Sequence, residues 1–326
     1  MKAPAIPRLV LPKPAKRTYN SPRPYCGDRV TVCIAGICDW HAQPSIIICT
    51  DTKLSLSGFT SFDSAIKIAW AAPNAVALMA DDPSRAKELI HLYQRHMVLD
   101  HGPIALTRQN ALDEVRKPAY RQKLRIIDEY FQRKWGVTYE RYREGALNNL
   151  PERARDDIIR DVDGLTLGCQ LIITPFVQDE PRLFTVSDDA TASELDHFAV
   201  IGSGAWIANA SLCQRQYNRM LDLKTALYYV YEAKKLSEAE GHVGKRTHMA
   251  VFQNTRMLFV SDSGMETLES WFWKFSPQPV ANVTIPEDGF WITSELQQIP
   301  MASLNESATK DDSGSAENGW SQETQE

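Results

Sequence analysis

Two opposite charges stand where a folding chain could least tolerate them alone. Asp51 closes the apolar run Ser45-Ile46-Ile47-Ile48-Cys49-Thr50, and sixteen residues on Lys67 sits between Ile66 and Ile68. Burying an isolated carboxylate or ammonium is costly, so the fold must bring these two runs together for each charge to neutralise the other. Thr31 shares the pattern, opening the strand-like run Thr31-Val32-Cys33-Ile34-Ala35. A hydroxyl held beside such a pair has the surroundings of a nucleophile.

The patterning around these residues predicts strands at Val30–Cys38, Ser45–Asp51, Ala65–Trp70 and Ala75–Ala80. Pro73-Asn74 reads as a tight turn, and Pro83 as the first position of a helix to about His96. From about Ile104 to Asp163 the chain is charged and helical. Tyr120, Leu124, Ile127, Phe131 and Trp135 form a stripe there, and Gly136 ends it. The stripe reads as a packing face, with a partner-binding surface as the alternative. Strands return at Thr166–Pro175, Arg182–Ser187 and His197–Ile201. Ser203 is placed as the N-cap of a helix through about Met220. A second helix over Leu223–Glu240 stops at Gly241, and strands Thr247–Gln253 and Arg256–Ser261 follow. Such runs suit two stacked sheets covered by helices.

The 326 residues, 43% of them hydrophobic, suffice for one large core or two modest ones. A net charge of -5 argues against nucleic acid or an anionic membrane surface as partner, and no apolar run reaches the ~18 residues that span a bilayer. Residues 1–27 contain six prolines and six Lys or Arg but no acid, so residues 1–29 read as a flexible extension. The folded domain is expected over residues 30–278, with a helical insert at about 104–163. Residues 279–326 form a tail, disordered from about 305 on composition. The six cysteines (Cys26, Cys33, Cys38, Cys49, Cys169 and Cys213) lack paired metal-type spacing. Several fall in strand-like runs and read as buried thiols of a reduced, cytoplasmic protein.

Five fragments in this order carry a resemblance: Thr31-Val32-Cys33-Ile34-Ala35, Cys49-Thr50-Asp51, Lys67-Ile68, Ala77-Leu78-Met79-Ala80 and Ile201-Gly202-Ser203-Gly204. From about Val30 to Glu269, part of the helical insert excepted, the chain resembles proteasome-type N-terminal-nucleophile hydrolases. It most resembles their bacterial single-chain branch. The intervals from Asp51 to Lys67, and from Lys67 to Met79-Ala80, match those of catalytic proteasome subunits.

The resemblance implies an α+β fold, a four-layer αββα sandwich, and a threonine-type peptidase or amidohydrolase without metal or organic cofactor. Thr31 would be the nucleophile and its own α-amino group the general base. That requires removal of the preceding segment, or a translation start at Val30, because an amide nitrogen cannot accept the hydroxyl proton. Lys67, held by Asp51, would favour the alkoxide, and Ser203 would hydrogen-bond near the threonine. Asp81 falls where the family usually has an oxyanion-hole glycine, and its carboxylate would bear on the oxyanion or the pocket. In place of the Ser-Gly-Gly that proteasome subunits set near the threonine amine stands Gly241-His242-Val243-Gly244-Lys245, which leaves that space open to His242 or Lys245 without showing which side chain fills it. The expected partners are a peptide or amide substrate and further copies of the chain, with an ATPase left open. A non-catalytic scaffold subunit and a small-molecule amidase are the alternatives. Residue by residue, Thr31 also reads as a strand former, Asp51–Lys67 as an inert ion pair and Ser203 as a helix cap.

Overall fold

The computed structural model describes residues 31–40, 43–56, 60–62, 67–99, 106–241 and 243–276. The expected extension at 1–29, the tail at 279–326, Cys26 and His242 lie outside them. The first half of the fold is a series of strands: β1 (Cys33–Trp40), β2 (Gln43–Asp51), β3 (Leu54–Leu56), β4 (Thr60–Phe62), β5 (Ile68–Ala72) and β6 (Ala75–Asp81). Four helices come next. They are α1 (Pro83–Gln94), which runs into a π-helical turn at Arg95–Leu99, then α2 (Ala111–Trp135), α3 (Tyr139–Arg143) and α4 (Glu152–Asp163). Strands β7 (Cys169–Val177), β8 (Glu180–Pro181), β9 (Leu183–Val186), β10 (Ala192–Leu195) and β11 (Phe198–Ile201) lead to helices α5 (Ala205–Gln214) and α6 (Leu223–Ser237). Finally β12 (Thr247–Gln253) and β13 (Arg256–Phe259) form a hairpin before α7 (Asp262–Phe275).

The result is a mixed α+β fold with two principal antiparallel sheets. One has the order β11-β1-β2-β12-β13, the other β10-β9-β7-β6-β5, with β8 paired to β7; β3 and β4 make a separate ribbon. The Ile-rich strands are buried on both faces, which is why they read as near-continuous apolar runs. Ile46 and Ile48 of β2 join Cys33, Ala35 and Ile37 of β1 in one core. In that same core lie Val76, Leu78 and Ala80 of β6 and Ile172 of β7, so residues from both sheets share it. The alternate residues Ile34, Ile47 and Cys49 pack with Leu212, Val230 and Leu268 from α5, α6 and α7. On the second sheet, Ala77, Met79, Leu171 and Ile173 pack with Leu89, Tyr93 and Val115 from α1 and α2.

Several boundaries differ from expectation for local reasons. The strand β1 begins at Cys33, so Thr31 and Val32 precede it, with the Val32 carbonyl still accepting from Asp51 N–H of β2 at 3.2 Å. The helix expected through Met220 stops at Gln214, because Gln216 takes a left-handed φ of 52°. Gly136 ends α2 as expected, at φ 68°. The stripe on α2 divides: Ile127 and Phe131 build a small core with Ile158 of α4, whereas Tyr120 is exposed. The pattern did not mark β3, β4, β8, β10 or α7. The first four are two to four residues long, too short for a period to show, while α7 starts directly at a Ser261 N-cap beyond the last expected strand.

Candidate active site

The register of the first sheet sets Asp51 at the end of β2, opposite Thr247 of β12. Lys67 immediately precedes β5, and its carbonyl accepts a hydrogen bond from Met79 N–H of β6 at 3.0 Å. One ion thus comes from each principal sheet, and they meet: Lys67 Nζ lies 2.6 Å from Asp51 Oδ1. Both are buried, at 3% and 0% exposure. Thr31 joins them. Its hydroxyl donates to Asp51 Oδ1 at 2.7 Å and accepts from Lys67 Nζ.

Asp51 is saturated with donors. Besides Thr31 and Lys67, Oδ1 takes Val32 N–H at 2.9 Å, while Oδ2 takes Lys53 N–H at 3.2 Å and Gly244 N–H at 3.0 Å. Five donors on a carboxylate with about four lone-pair sites compensate for the water it has lost. The backbone amides fix the carboxylate, and the carboxylate fixes the ammonium against the hydroxyl. Proximity to an ammonium favours the alkoxide form of that hydroxyl.

The main chain of Thr31 is held separately. Its N–H donates to Ser203 Oγ at 3.2 Å, and its carbonyl accepts from Ser203 Oγ at 3.3 Å and from Gly204 N–H at 3.2 Å. Gly202 makes this approach possible: it adopts φ 96°, and a Cβ there would stand 2.4 Å from the Thr31 carbonyl oxygen. Ser203 is therefore not the helix cap its position suggested. Gly204 takes that place, and no side chain caps α5.

Asp81 lies at the end of β6 with φ 70°, a conformation that favours glycine but that aspartate tolerates better than most residues. Its carboxylate accepts from Gln170 Nε2 of β7 at 3.1 Å. The structure thus brings together Thr31, Asp51, Lys67 and Ser203, with Asp81 on the strand that also meets Lys67.

Of the two side chains left open for the space near the threonine amine, Lys245 is exposed, and from this loop it is the Gly244 N–H that reaches the cluster, at Asp51. A Cβ on Gly244 would stand 2.6 Å from Lys53 Cβ and 2.9 Å from Asp51 Oδ2, so the loop needs glycine to deliver its amide. The sequence reading passed over a further contributor. Lys234 of α6 is fully buried, and its Nζ donates to the Lys245 carbonyl at 3.0 Å and to Glu238. It clamps the residue after Gly244. Burial lowers the pKa of Lys234, with Glu238 opposing the shift. Its signal was present, because Lys234 falls four residues after Val230 and three before Ser237, on the face of α6 that turns inward.

Cys33, two residues beyond Thr31, is the nearby thiol. Burial pushes its pKa up to about 12, with Lys67 opposing, and its Sγ donates to the Met79 carbonyl at 3.3 Å. Among the described residues no group of three or more His, Cys, Asp or Glu could hold a metal ion, and no helix is long and apolar enough to cross a membrane. No protein-family model matches the chain, and no curated protein matches it either.

Proposed function

We propose that this chain is a proteasome-like, threonine-nucleophile amide hydrolase acting on peptides in the cytoplasm, with the four-layer αββα sandwich of that class. The observation that carries the reading is the buried Thr31 hydroxyl in hydrogen-bond contact with both Asp51 and Lys67. The facing sheets with helices on their other faces support the fold assignment.

The chemistry follows from the geometry once Thr31 is the first residue. Its free α-amino group, close to Ser203 Oγ, takes the hydroxyl proton, and Oγ1 attacks the carbonyl carbon of the scissile amide. An α-amino group titrates near ~7.7–8.0, so at neutral pH a modest fraction is already the free base. Lys67 stabilises the negative charge on Oγ1 before attack. By strand alternation the Asp81 N–H leaves β6 on the same side as the Met79 N–H that meets Lys67, where it can serve the oxyanion. Collapse of the tetrahedral intermediate breaks the C–N bond, and the proton held by the amine goes to the leaving nitrogen. A threonyl ester is left. Water then attacks the ester carbonyl, giving up a proton to the amine, and the freed acid departs with the Thr31 hydroxyl restored.

The decisive test pairs an intact-mass measurement of the mature chain with turnover of fluorogenic peptides. A chain beginning at Thr31 should cleave them, be labelled at Thr31 by a peptide epoxyketone, and lose at least about a thousandfold in rate in Thr31→Ala. A mature, assembled chain that keeps residue 30 attached overturns the nucleophile. If Thr31→Ala leaves assembly unchanged and the parent cleaves nothing, the protein is a scaffold. Cleavage of N-acyl compounds but not peptides makes it a small-molecule amidase.

A further inference from the structure

We propose that Val243 is a positioning residue of the Thr31 site. It joins the turn that holds the Thr31 main chain to the loop that holds the Asp51 carboxylate. The two are far apart in sequence and act on different groups. In the turn, Gly204 N–H donates to the Thr31 carbonyl at 3.2 Å, and Ser203 Oγ meets both the N–H and the carbonyl of Thr31. In the loop, Gly244 N–H donates to Asp51 Oδ2 at 3.0 Å.

Val243 touches both. It precedes Gly244 in the chain, and its side chain is buried, at 5% exposure. A Cβ on Gly204 would stand 2.7 Å from Val243 Cγ2, so that methyl rests on the bare Cα of Gly204. Gly204 has an ordinary φ of -78°, so glycine is needed there for space and not for backbone freedom. The same Cβ would stand 3.1 Å from Ser237 Cβ and 3.3 Å from Val32 Cβ, which leaves the contact no slack on its other sides.

The end of α6 backs this contact. Val243 N–H donates to the Glu240 carbonyl just beyond the helix at 2.8 Å. Lys234 Nζ, donating to the Lys245 carbonyl at 3.0 Å, pins the far side of Gly244. Ser237, which packs beside Gly204, donates to the Lys234 carbonyl at 2.6 Å. A β-branched side chain is stiff at χ1, and a close-packed interior transmits a displacement instead of absorbing it. Moving Val243 therefore moves the Gly244 amide through the chain and the Gly204 amide through the contact. One of these amides fixes Asp51 and the other fixes Thr31, so the spacer sets how the Thr31 hydroxyl lies against Asp51 and Lys67.

The kinetic consequence rests on the hydrolase reading, whereas the coupling of the two glycine amides is a property of the folded chain. The test compares Val243→Ala with Val243→Thr. Both cost stability, alanine by leaving a void and threonine by burying a hydroxyl, but only threonine keeps the shape. In Val243→Ala the amides of Gly204 and Gly244 should exchange about tenfold faster together, as followed by NMR. Its kcat on a fluorogenic peptide should fall by about tenfold or more, with KM within about twofold of the parent. Val243→Thr should keep exchange and kcat near the parent values. Equal losses in the two variants would mean that the valine only stabilises the core, and faster exchange at Gly244 alone would break the link to Gly204; either overturns the proposal. Gly204→Ala presses on the contact from the other side and should displace the Gly244 amide resonance. An unmoved resonance overturns the coupling even if Val243→Ala does not fold. A parent that cleaves no peptide counts against the hydrolase reading, and exchange at the two glycines still decides the coupling.

Discussion

At the Thr31 end of β1 a carboxylate, Asp51, receives five hydrogen-bond donors, two of them from side chains that would do chemistry. At the far end of the same strand Asp39 keeps a buried oxygen with none. The contrast separates two ways of using a buried charge. Asp51 is completed from within: three backbone amides and a lysine fix it, so its neighbours are oriented before any substrate arrives. Asp39 is incomplete: one of its oxygens is shut away from solvent without a donor. The first arrangement is expensive to disturb and the second is not.

Stability measurements can break that comparison. Asp51→Ala would leave Lys67 buried without a counter-charge and should cost about 3–5 kcal/mol, read from the urea unfolding midpoint. Asp39→Asn, at a half-buried side chain with one donorless oxygen, should change stability by less than about 0.5 kcal/mol in either direction. Pairing Asp51→Asn with Lys67→Met should cost less than the sum of the two single changes, because the pair is removed together. Equal costs for Asp51→Ala and Asp39→Asn would mean that the two ends are alike.

Lys234 sharpens the comparison, since it supports the satisfied end from a distance. Lys234→Met strips the Lys245 carbonyl of its donor while also removing a buried charge, so the net loss should be about 1–2 kcal/mol. Faster exchange of the Gly244 amide should accompany it, showing that the loop rather than the helix has loosened. The pH dependence carries a definite sign. Burial lowers the pKa of Lys234 in the folded chain, so between that lowered value and the ordinary lysine value of about 10.4 the unfolded chain binds more protons. Its contribution to stability therefore rises with pH through that window and is least favourable below it. Unfolding measured on the alkaline side should show this slope in the parent and lose it in Lys234→Met.

Much of the satisfied end was legible in the sequence, and the incomplete end was not. Asp51 and Lys67 announced each other because an apolar run cannot carry a lone charge, and their meeting needed no more than that. The central strands were legible for the same reason: Ile46 to Ile48 face two cores at once. Ser203 was placed near its true surroundings, yet its bland reading as a helix cap failed, because the close packing of Gly202 on Thr31 is a three-dimensional fact. Gly244 acts through a backbone amide, a group every residue carries, so residue type alone could not mark it, whereas the place of Lys234 on the inward face of α6 did mark it. Asp39 sat in what reads as a loop between two strands. The cavity it borders is walled in part by α7, an element the pattern did not reach.

Cysteine labelling probes both ends of β1 with no expected effect on stability. Cys33 lies beside the Thr31 cluster and Cys38 beside Asp39, and burial pushes both thiols up to about 12. At pH 8 the thiolate fraction at either is then about one in ten thousand, and it is the thiolate that reacts. Cys213 on α5 is exposed. Brief iodoacetamide treatment of the native chain, followed by peptide mapping, should therefore find Cys213 modified and Cys33, Cys38, Cys49 and Cys169 protected. Early labelling of Cys38 but not Cys33 would show that the Asp39 end opens to solvent while the Thr31 end stays shut, as the difference in donor satisfaction demands if the two ends differ in rigidity as well as in charge. Early labelling of Cys33 would be the more damaging result. A Thr31 cluster loose enough to admit the reagent could not hold a hydroxyl between Asp51 and Lys67 in one geometry.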